Sequence, residues 1–253
     1  MNHIKTAPRR YIVHAVERHQ PADAQDQKRK QAAWDSWDRL YCEQGVIPSH
    51  YWHYERDATQ IGDHRKLPYL KDVLKWAMRQ SRPADIIFLT NDDVWLHPEL
   101  PGLVRFHTAL HGVCCAQRLD FPSRIASTIS PAAAALAGQR HMGRDLFAFE
   151  KQWLDDHWDE IPDAILGASD FDLHLASMIR VAKKLAPTRQ NIEQVINPCE
   201  LPLGYVLHQN HEPAWRNPKN VDASPSQIHN RALFAAWGRQ YAPSLVFHPG
   251  NVI

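Results

Sequence analysis

The chain has 253 residues, enough to bury a sizeable core in one large domain or two small ones without covalent staples. Lys plus Arg total 29 against 28 for Asp plus Glu, a formal net charge of +1, so there is no overall basic surplus of the kind that marks a polyanion binder. The four cysteines, Cys42, Cys114, Cys115 and Cys199, make no Cys-x-x-Cys pair, which argues against a zinc ribbon or a dithiol redox motif.

Arg10 to Val16 reads as a first strand, and Glu17 to Gln27 as a polar loop over the carboxyl edge of a sheet. In nucleotide-binding α/β folds the loop after the first strand commonly meets the nucleotide, which makes His14, Ala15, Glu17 and Arg18 candidate donor contacts by position. From Asp26 to Tyr41, Ala33, Trp34, Trp37, Leu40 and Tyr41 recur at helical spacing, with Lys28, Arg29, Lys30, Asp35 and Asp38 on the other face and Gly45 placed to end the helix. The aromatic run His50 to Glu55 suggests a short strand, and Arg56 to Arg65 a polar loop. Pro68 then sits near the start of a helix whose face is Leu70, Val73, Leu74 and Ala77, closing before Pro83.

The next stretch organises the rest. Ile86 to Leu89 is an unbroken apolar run between Pro83 and the triplet Asn91-Asp92-Asp93, as expected of a central strand covered on both faces. Open α/β sheets bind ligands in the crevice outside the carboxyl ends of their strands. Carboxylates at such an end offer hard oxygen ligands suited to Mg²⁺ or Mn²⁺. The same triplet also suits a plain solvated turn, since Asn and Asp are favoured turn residues.

Pro98 to Leu110 reads as a helix, and His111 to Ala116 as a strand carrying the buried thiols Cys114 and Cys115, which suit a reducing compartment. Gln117 to Gln139, rich in Ser, Pro and Ala, is the expected mobile loop or acceptor-side insertion, with a short helix from Pro131 to Ala137. Gly143 to Glu150 has strand-like alternation and Lys151 to Trp158 follows as a helix. Ser169-Asp170-Phe171-Asp172 has the form of a capping box opening a helix from Phe171 to Lys184. Tyr205 to Leu207 is a late strand that delivers His208 and His211 onto a loop. Ser224-Pro225 opens a last helix with Ile228, Leu233, Phe234 and Trp237 as its apolar face, and Tyr241 to Ile253 reads as extended. The apolar stretch behind Arg9 and Arg10 is too short for a signal peptide, and no run approaches the roughly 20 apolar residues that span a bilayer. A cytoplasmic protein is expected.

The order of these pieces resembles the glycosyltransferases of the GT-A fold. Asn91-Asp92-Asp93 looks like their Asp-x-Asp element with Asn91 in the first position, and Arg65 to Asp72 is similar to their donor-binding lead-in. Gly143-Arg144-Asp145-Leu146-Phe147, followed past Trp158 and Pro162 by Gly167 and the acids of the next helix, looks like their acceptor half. The resemblance implies a single α/β domain over residues 1–253, an open mixed Rossmann-like sheet flanked by helices. Residues 1–110 would form the donor half and 111–253 the acceptor half with a C-terminal helix. It implies a nucleotide-sugar donor met by Arg65, Lys66, Asp72, Asn91 and Asp92, a sugar contact at Asp145, and a catalytic acid at Asp170 or Asp172. It also implies Mn²⁺ or Mg²⁺ held by Asp93 with a late histidine, His211 first and His208 as the alternate. The activity implied is metal-dependent transfer of a hexose or pentose to a hydroxyl acceptor. That acceptor is a saccharide or glycan, or a hydroxylated base in DNA should Arg118, Arg124, Arg140 and Arg144 gather on one rim. Two other classes fit the same residues: a metal-dependent hydrolase or nuclease using Asp92, Asp93, His208 and His211, and a non-catalytic binding domain on the same fold.

Overall fold

A computed structural model gives the fold, described over residues 11–16, 24–50, 55–122, 129–182, 199–210 and 224–241. The strands are β1 (Ile12–Val16), β2 (Val46–His50), β3 (Ile86–Thr90), β4 (Val94–Leu96), β5 (Val113–Phe121), β6 (Gln139–Glu150) and β7 (Val206–Gln209). The helices are α1 (Ala24–Gln44), α2 (Leu70–Arg79), α3 (Leu100–His111), α4 (Pro131–Ala137), α5 (Lys151–Asp156), α6 (Phe171–Ala182) and α7 (Pro225–Tyr241), with a 3-10 turn at Ala58–Ile61. The strands form one mixed sheet in the order β2-β1-β3-β6-β5-β7-β4. β1 is parallel to β2 and β3, β6 runs antiparallel between β3 and β5, and β7 is parallel to β5 and antiparallel to β4.

The continuous apolar character of β1 and β3 has a direct cause: every residue of both is buried, because helices cover both faces. Alternate residues divide between two cores. Ile12, Val16, Ile86 and Phe88 meet Trp37 and Leu40 of α1 and Val104 of α3, whereas Val13, Ala15, Ile87 and Leu89 meet Leu70, Val73 and Leu74 of α2 and Leu175 and Ile179 of α6. Truncating a fully buried Leu or Ile here to Ala would leave a cavity costing about 2–5 kcal/mol.

Several boundaries differ from the expectation for identifiable reasons. β2 occupies 46–50 rather than 50–55; it holds Pro48, which the ladder tolerates because β2 is an edge strand. β5 and β6 are longer than the short strands expected, so 117–121 and 139–142 are paired strand rather than loop. β4 follows directly on the aspartates, and His208 lies within β7, not on a loop after it. Gly204, ahead of β7, has φ +98°, and a Cβ there would fall 2.1 Å from the Pro131 carbonyl oxygen, so the approach of this turn to α4 requires glycine. The buried face of α7 is Ser226, Gln227, Asn230, Phe234, Trp237 and Gly238, while Ile228 is exposed. That face is partly polar because Asn230 serves the backbone of the 165–169 loop, accepting from Ile165 N (2.8 Å) and donating to the carbonyls of Ile165 and Ser169 (both 3.0 Å). The extended stretch expected after Tyr241 lies outside the described residues.

Cys114, Cys115 and Cys199 are buried and form no disulfide, and burial pushes Cys115 up to about 12, which makes it inert. Among the described residues no helix is long and apolar enough to cross a membrane.

His174 on α6 is an apolar-core residue in all but chemistry. It is 3% exposed, packs against Phe234 and Trp237 at ring distances of 5.2 and 5.4 Å, and neither ring nitrogen has a hydrogen-bond partner. Burial holds it neutral, with a pKa of about 4. The unfolded chain takes up this proton near pH 6.5 and the folded one only near 4, so the stability contribution is complete above about pH 6.5 and is lost as pH falls toward 4, roughly 3 kcal/mol in all. His174→Leu is therefore expected to abolish that part of the acid sensitivity in urea unfolding followed at neutral and at acid pH. Parallel losses in parent and variant would contradict the assignment.

Candidate functional site

Four strands deliver the site. β3 ends at Thr90, and Asn91-Asp92-Asp93 turns the chain into β4. α1 fixes this turn: Trp34 Nε1 donates to the Asp92 carbonyl (3.0 Å), Trp37 Nε1 donates to the Val94 carbonyl (2.9 Å), and the Leu96 amide donates to Ser36 Oγ (3.0 Å). The Asp92 carboxylate points back into α1, where Lys30 Nζ lies 3.0 Å from Oδ2 with both side chains mostly buried. Asp93 instead meets β7. The register sets Val94 opposite His208, and Asp93 Oδ2 lies 3.3 Å from His208 Nε2.

The other ring nitrogen of His208 is 2.9 Å from Asp120 Oδ1, because β5 pairs Asp120 with His208. Arg118, two residues earlier on the same face, donates from Nε to Asp120 Oδ1 (2.8 Å) and places Nη1 2.9 Å from Asp145 Oδ2. Asp145 precedes Leu146, the β6 partner of Thr90, and so lies beside Asn91, whose side-chain amide donates to it. The cluster therefore alternates in sign: Asp93, His208, Asp120, Arg118, Asp145.

Charge in this buried cluster is held by neighbours. Burial opposes protonation of His208, but Asp120 and Asp93 outweigh it and raise its pKa to about 9. Burial also works against the Asp120 carboxylate, which His208 and Arg118 nevertheless hold below the usual range. Arg118 stays charged despite burial because Asp145, Asp120 and Asp93 surround it. Burial raises Asp145, with the Arg118 guanidinium opposing and the charge of Asp172 adding to the rise. His141, also on β6, is lowered by burial and by Arg118.

Asp172 borders this cluster from the first turn of α6. Burial raises its pKa against the hydrogen bond from the Arg144 amide, which donates to Oδ2 at 3.0 Å. β6 passes it closely enough that a Cβ at Gly143 would lie 2.7 Å from that oxygen. Asp170 is placed differently. It has φ +74°, alone among the described non-glycine residues, and its Oδ2 accepts from Arg231 Nε (2.9 Å) and Ser169 Oγ (3.1 Å). Ser169 thus bonds its neighbour's carboxylate and not the amides of α6, so the expected capping box is absent; Asp172 itself accepts from the Leu173 amide.

Other expected residues fall elsewhere. His14 and Ala15, expected as donor contacts, are fully buried: β1 continues to Val16, and His14 bonds Tyr41 Oη (2.8 Å) and Thr90 Oγ1 (2.7 Å) inside the core. Glu17, Arg18 and His211 lie outside the described residues. Asp72 is gripped by Arg56 Nε and Nη2 at 3.0 and 2.8 Å, and Arg65 pairs with buried Asp63, so neither joins the Asp93 cluster; Lys66 is exposed. The basic rim does not form from its described members. Arg118 turns inward, Arg144 faces Glu200 at 3.4 Å and Arg140 bonds Gln117, while Arg124 is outside the described residues. Arg118 as a site residue and Asp120 were missed because 117–121 was read as loop. Continuing the strand period of Val113 to Ala116 would have put both on one face.

Asp93 and His208 have the form of a metal-ligand pair. Donors each about 2.1 Å from a divalent ion in neighbouring octahedral positions stand about 3 Å apart, close to the 3.3 Å found. The carboxylate on the far ring nitrogen is the arrangement that orients metal-ligating histidines. Among the described residues no group of three or more His, Cys, Asp or Glu side chains is arranged to hold a metal ion, so most coordination would fall to ligand oxygens.

No protein-family model matches the chain, and no curated protein matches its sequence. Among solved structures it is similar to S. aureus TarS 1-349 in complex with UDP-GlcNAc, with a TM-score of 0.52 and 8% identity over 92% of this chain and 68% of that one. A second structure of S. aureus TarS 1-349 has a TM-score of 0.44 and 10% identity, over 93% and 73% of the two chains. The first likeness establishes a GT-A-like fold, a curled open mixed sheet flanked by helices.

In the metal-free protein His208 should titrate near pH 9. Asp93→Asn and Asp120→Asn should each move it toward the ordinary imidazole value of about 6.5, followed by NMR of the ring carbon-bound protons. A parent His208 that already titrates near 6.5 would contradict the described contacts.

Proposed function

We propose that the protein is a divalent-metal-dependent glycosyltransferase that moves a hexose or pentose from a nucleoside diphosphate to a hydroxyl acceptor. The observation that carries this reading is the meeting of Asp93 and His208, 115 residues apart by number, at the ligand-binding end of a GT-A-like sheet. TarS was crystallised with UDP-GlcNAc, which makes a uridine nucleotide-sugar the first donor to test.

In this reading Asp93 and His208 hold Mn²⁺ or Mg²⁺, which when bound offsets charge growing on the departing diphosphate. Asp120 fixes the tautomer and tilt of His208 from behind, and Arg118 ties Asp120 to Asp145. Asn91 and Asp145 face the transferred sugar as a paired amide and carboxylate. Asp172 is the base: the acceptor oxygen bonds to the anomeric carbon, its proton passes to Asp172, and the bond from that carbon to the diphosphate breaks. A carboxylate raised by burial is a better proton acceptor than a solvated one. Asp170 is the less suitable of the two acids because Arg231 holds it. The acceptor is a saccharide or glycan hydroxyl, since the described arginines form no rim for nucleic acid. A two-ion hydrolase on Asp92, Asp93, His208 and His211 is disfavoured by the Lys30 ion pair that occupies Asp92. Buried free thiols suit a reducing compartment, and a cytoplasmic location goes with this reading.

Two measurements test it. A thermal-shift panel of nucleoside diphosphates should show a stabilisation that needs both Mn²⁺ and Asp93, because a ligand bound to the native state alone raises the melting point. No shift across the panel would remove the reading. Once a donor is found, Asp172→Asn should reduce kcat by about 10²- to 10⁴-fold with little change in donor KM, whereas Asp170→Asn should retain most of the rate. The reverse ranking would reassign the base.

A further inference from the structure

α6 begins against the local rules. Asp170 stands at its cap, its carbonyl accepting the first intrahelical bond from the His174 amide (3.1 Å). A cap residue ordinarily has extended backbone and turns its side chain to the amides of the first turn. Asp170 has φ +74° instead, and its carboxylate accepts from Arg231 and Ser169. A left-handed backbone at a residue other than glycine is disfavoured and persists where its surroundings over-determine it. Two residues further on stands Asp172.

α7 supplies the constraint, through three consecutive residues that reach the chain leading into α6. His229 Nε2 lies 3.0 Å from the Asp163 carbonyl oxygen. Asn230, 1% exposed, accepts from the Ile165 amide and donates to the carbonyls of Ile165 and Ser169. Arg231 Nε donates to Asp170 Oδ2 at 2.9 Å. The left-handed residue is thus held at the carbonyl before it and at its own side chain. α7 is itself fixed along its length: buried Ser226 donates from Oγ to Asp63 Oδ2 (2.5 Å), and Phe234 and Trp237 pack on His174 of α6. Beyond the turn, Asp172 Oδ2 accepts from the Arg144 amide, and a Cβ at Gly143 would fall 2.7 Å from that oxygen. With so little room, the direction in which α6 leaves the turn decides whether the carboxylate reaches its place.

We propose that Asn230 and Arg231 are positioning residues: by imposing the left-handed turn at Asp170 they aim the start of α6, so that the Asp172 carboxylate stands against β6 at Gly143 and Arg144. What Asp172 does there rests on the glycosyltransferase reading. The last helix thereby takes a part in the reaction that its sequence does not announce.

NMR of the full chain, carbon-labelled at the aspartate carboxyls and titrated with acid, tests this. Burial raises Asp172 in the parent. Arg231→Gln and Asn230→Ala should each bring it back toward the ordinary aspartate value of about 3.9, as the carboxyl leaves its buried place. Asp170→Gly added to Arg231→Gln should restore the parent titration, since glycine takes φ +74° without being held. With a donor in hand, kcat of Arg231→Gln should fall by about 10²-fold with little change in donor KM. Should Asn230→Ala fail to fold, Arg231→Gln carries the test, its side chain being 55% exposed. A purely structural role would lower the melting point and leave Asp172 titrating as in the parent, a result that overturns the assignment. Failure of the glycine to restore the titration overturns it too. The thermal shift with UDP and Mn²⁺ separates the two readings. An unmoved Asp172 with that shift intact removes the positioning role alone, whereas no shift across the nucleotide panel in the parent removes the transferase and with it the reaction these residues would serve.

Discussion

The contact on which the site depends is His208 held between Asp93 and Asp120. It joins β5 and β7 to the turn ahead of β4, segments far apart in the chain, and it exists because β7 inserts between β5 and β4, pairing with Asp120 on one side and with Val94 on the other. A shift of β7 by one residue would turn His208 to the opposite face and replace it with Leu207 or Gln209. The register of a four-residue strand therefore decides whether the aspartates after β3 have an imidazole to work with.

That register is guarded by packing on both sides. Val94, Leu96 and Val206 are buried under α1 and α3, and Trp95, Leu119, Phe121 and Leu207 form a separate apolar cluster with Ala134 of α4. α1 adds three direct bonds to the 92–96 backbone and an ion pair to Asp92. Breaking that mostly buried pair from one side would leave an uncompensated charge, a loss of about 3–5 kcal/mol in comparable sites. Asp92 and Asp93 thus divide their work: one anchors the turn to the helix, the other meets the imidazole. Both lie in the turn between β3 and β4, where one carboxylate meets Lys30 of α1 and the other His208 of β7.

Much of this was legible in the sequence and some was not, for physical reasons. Ile86 to Leu89 bounded by Pro83 and the acids announced a central strand because burial on both faces leaves no polar position. The α2 face of Leu70, Val73, Leu74 and Ala77 followed from its period. The ion pair that occupies Asp92 was not readable, since its partner Lys30 lies sixty-two positions earlier in the chain. The polar residues of β5, Gln117 to Asp120, resemble loop until Arg118 and Asp120 are seen to satisfy one another and Asp145. β2 hid behind Pro48, because proline marks a break except on an edge. The burial of His14 and its bonds to Tyr41 and Thr90 were not readable, since both partners lie far along the chain.

The proposed function stands on a divalent ion that Asp93 and His208 would hold. Crystals grown with MnCl₂ and UDP and measured at the manganese absorption edge test this most directly. The account predicts one anomalous peak within bonding distance of both atoms, with Asp120 still on the far ring nitrogen. A peak coordinated elsewhere, or none while His208 remains bonded to Asp93, would contradict it.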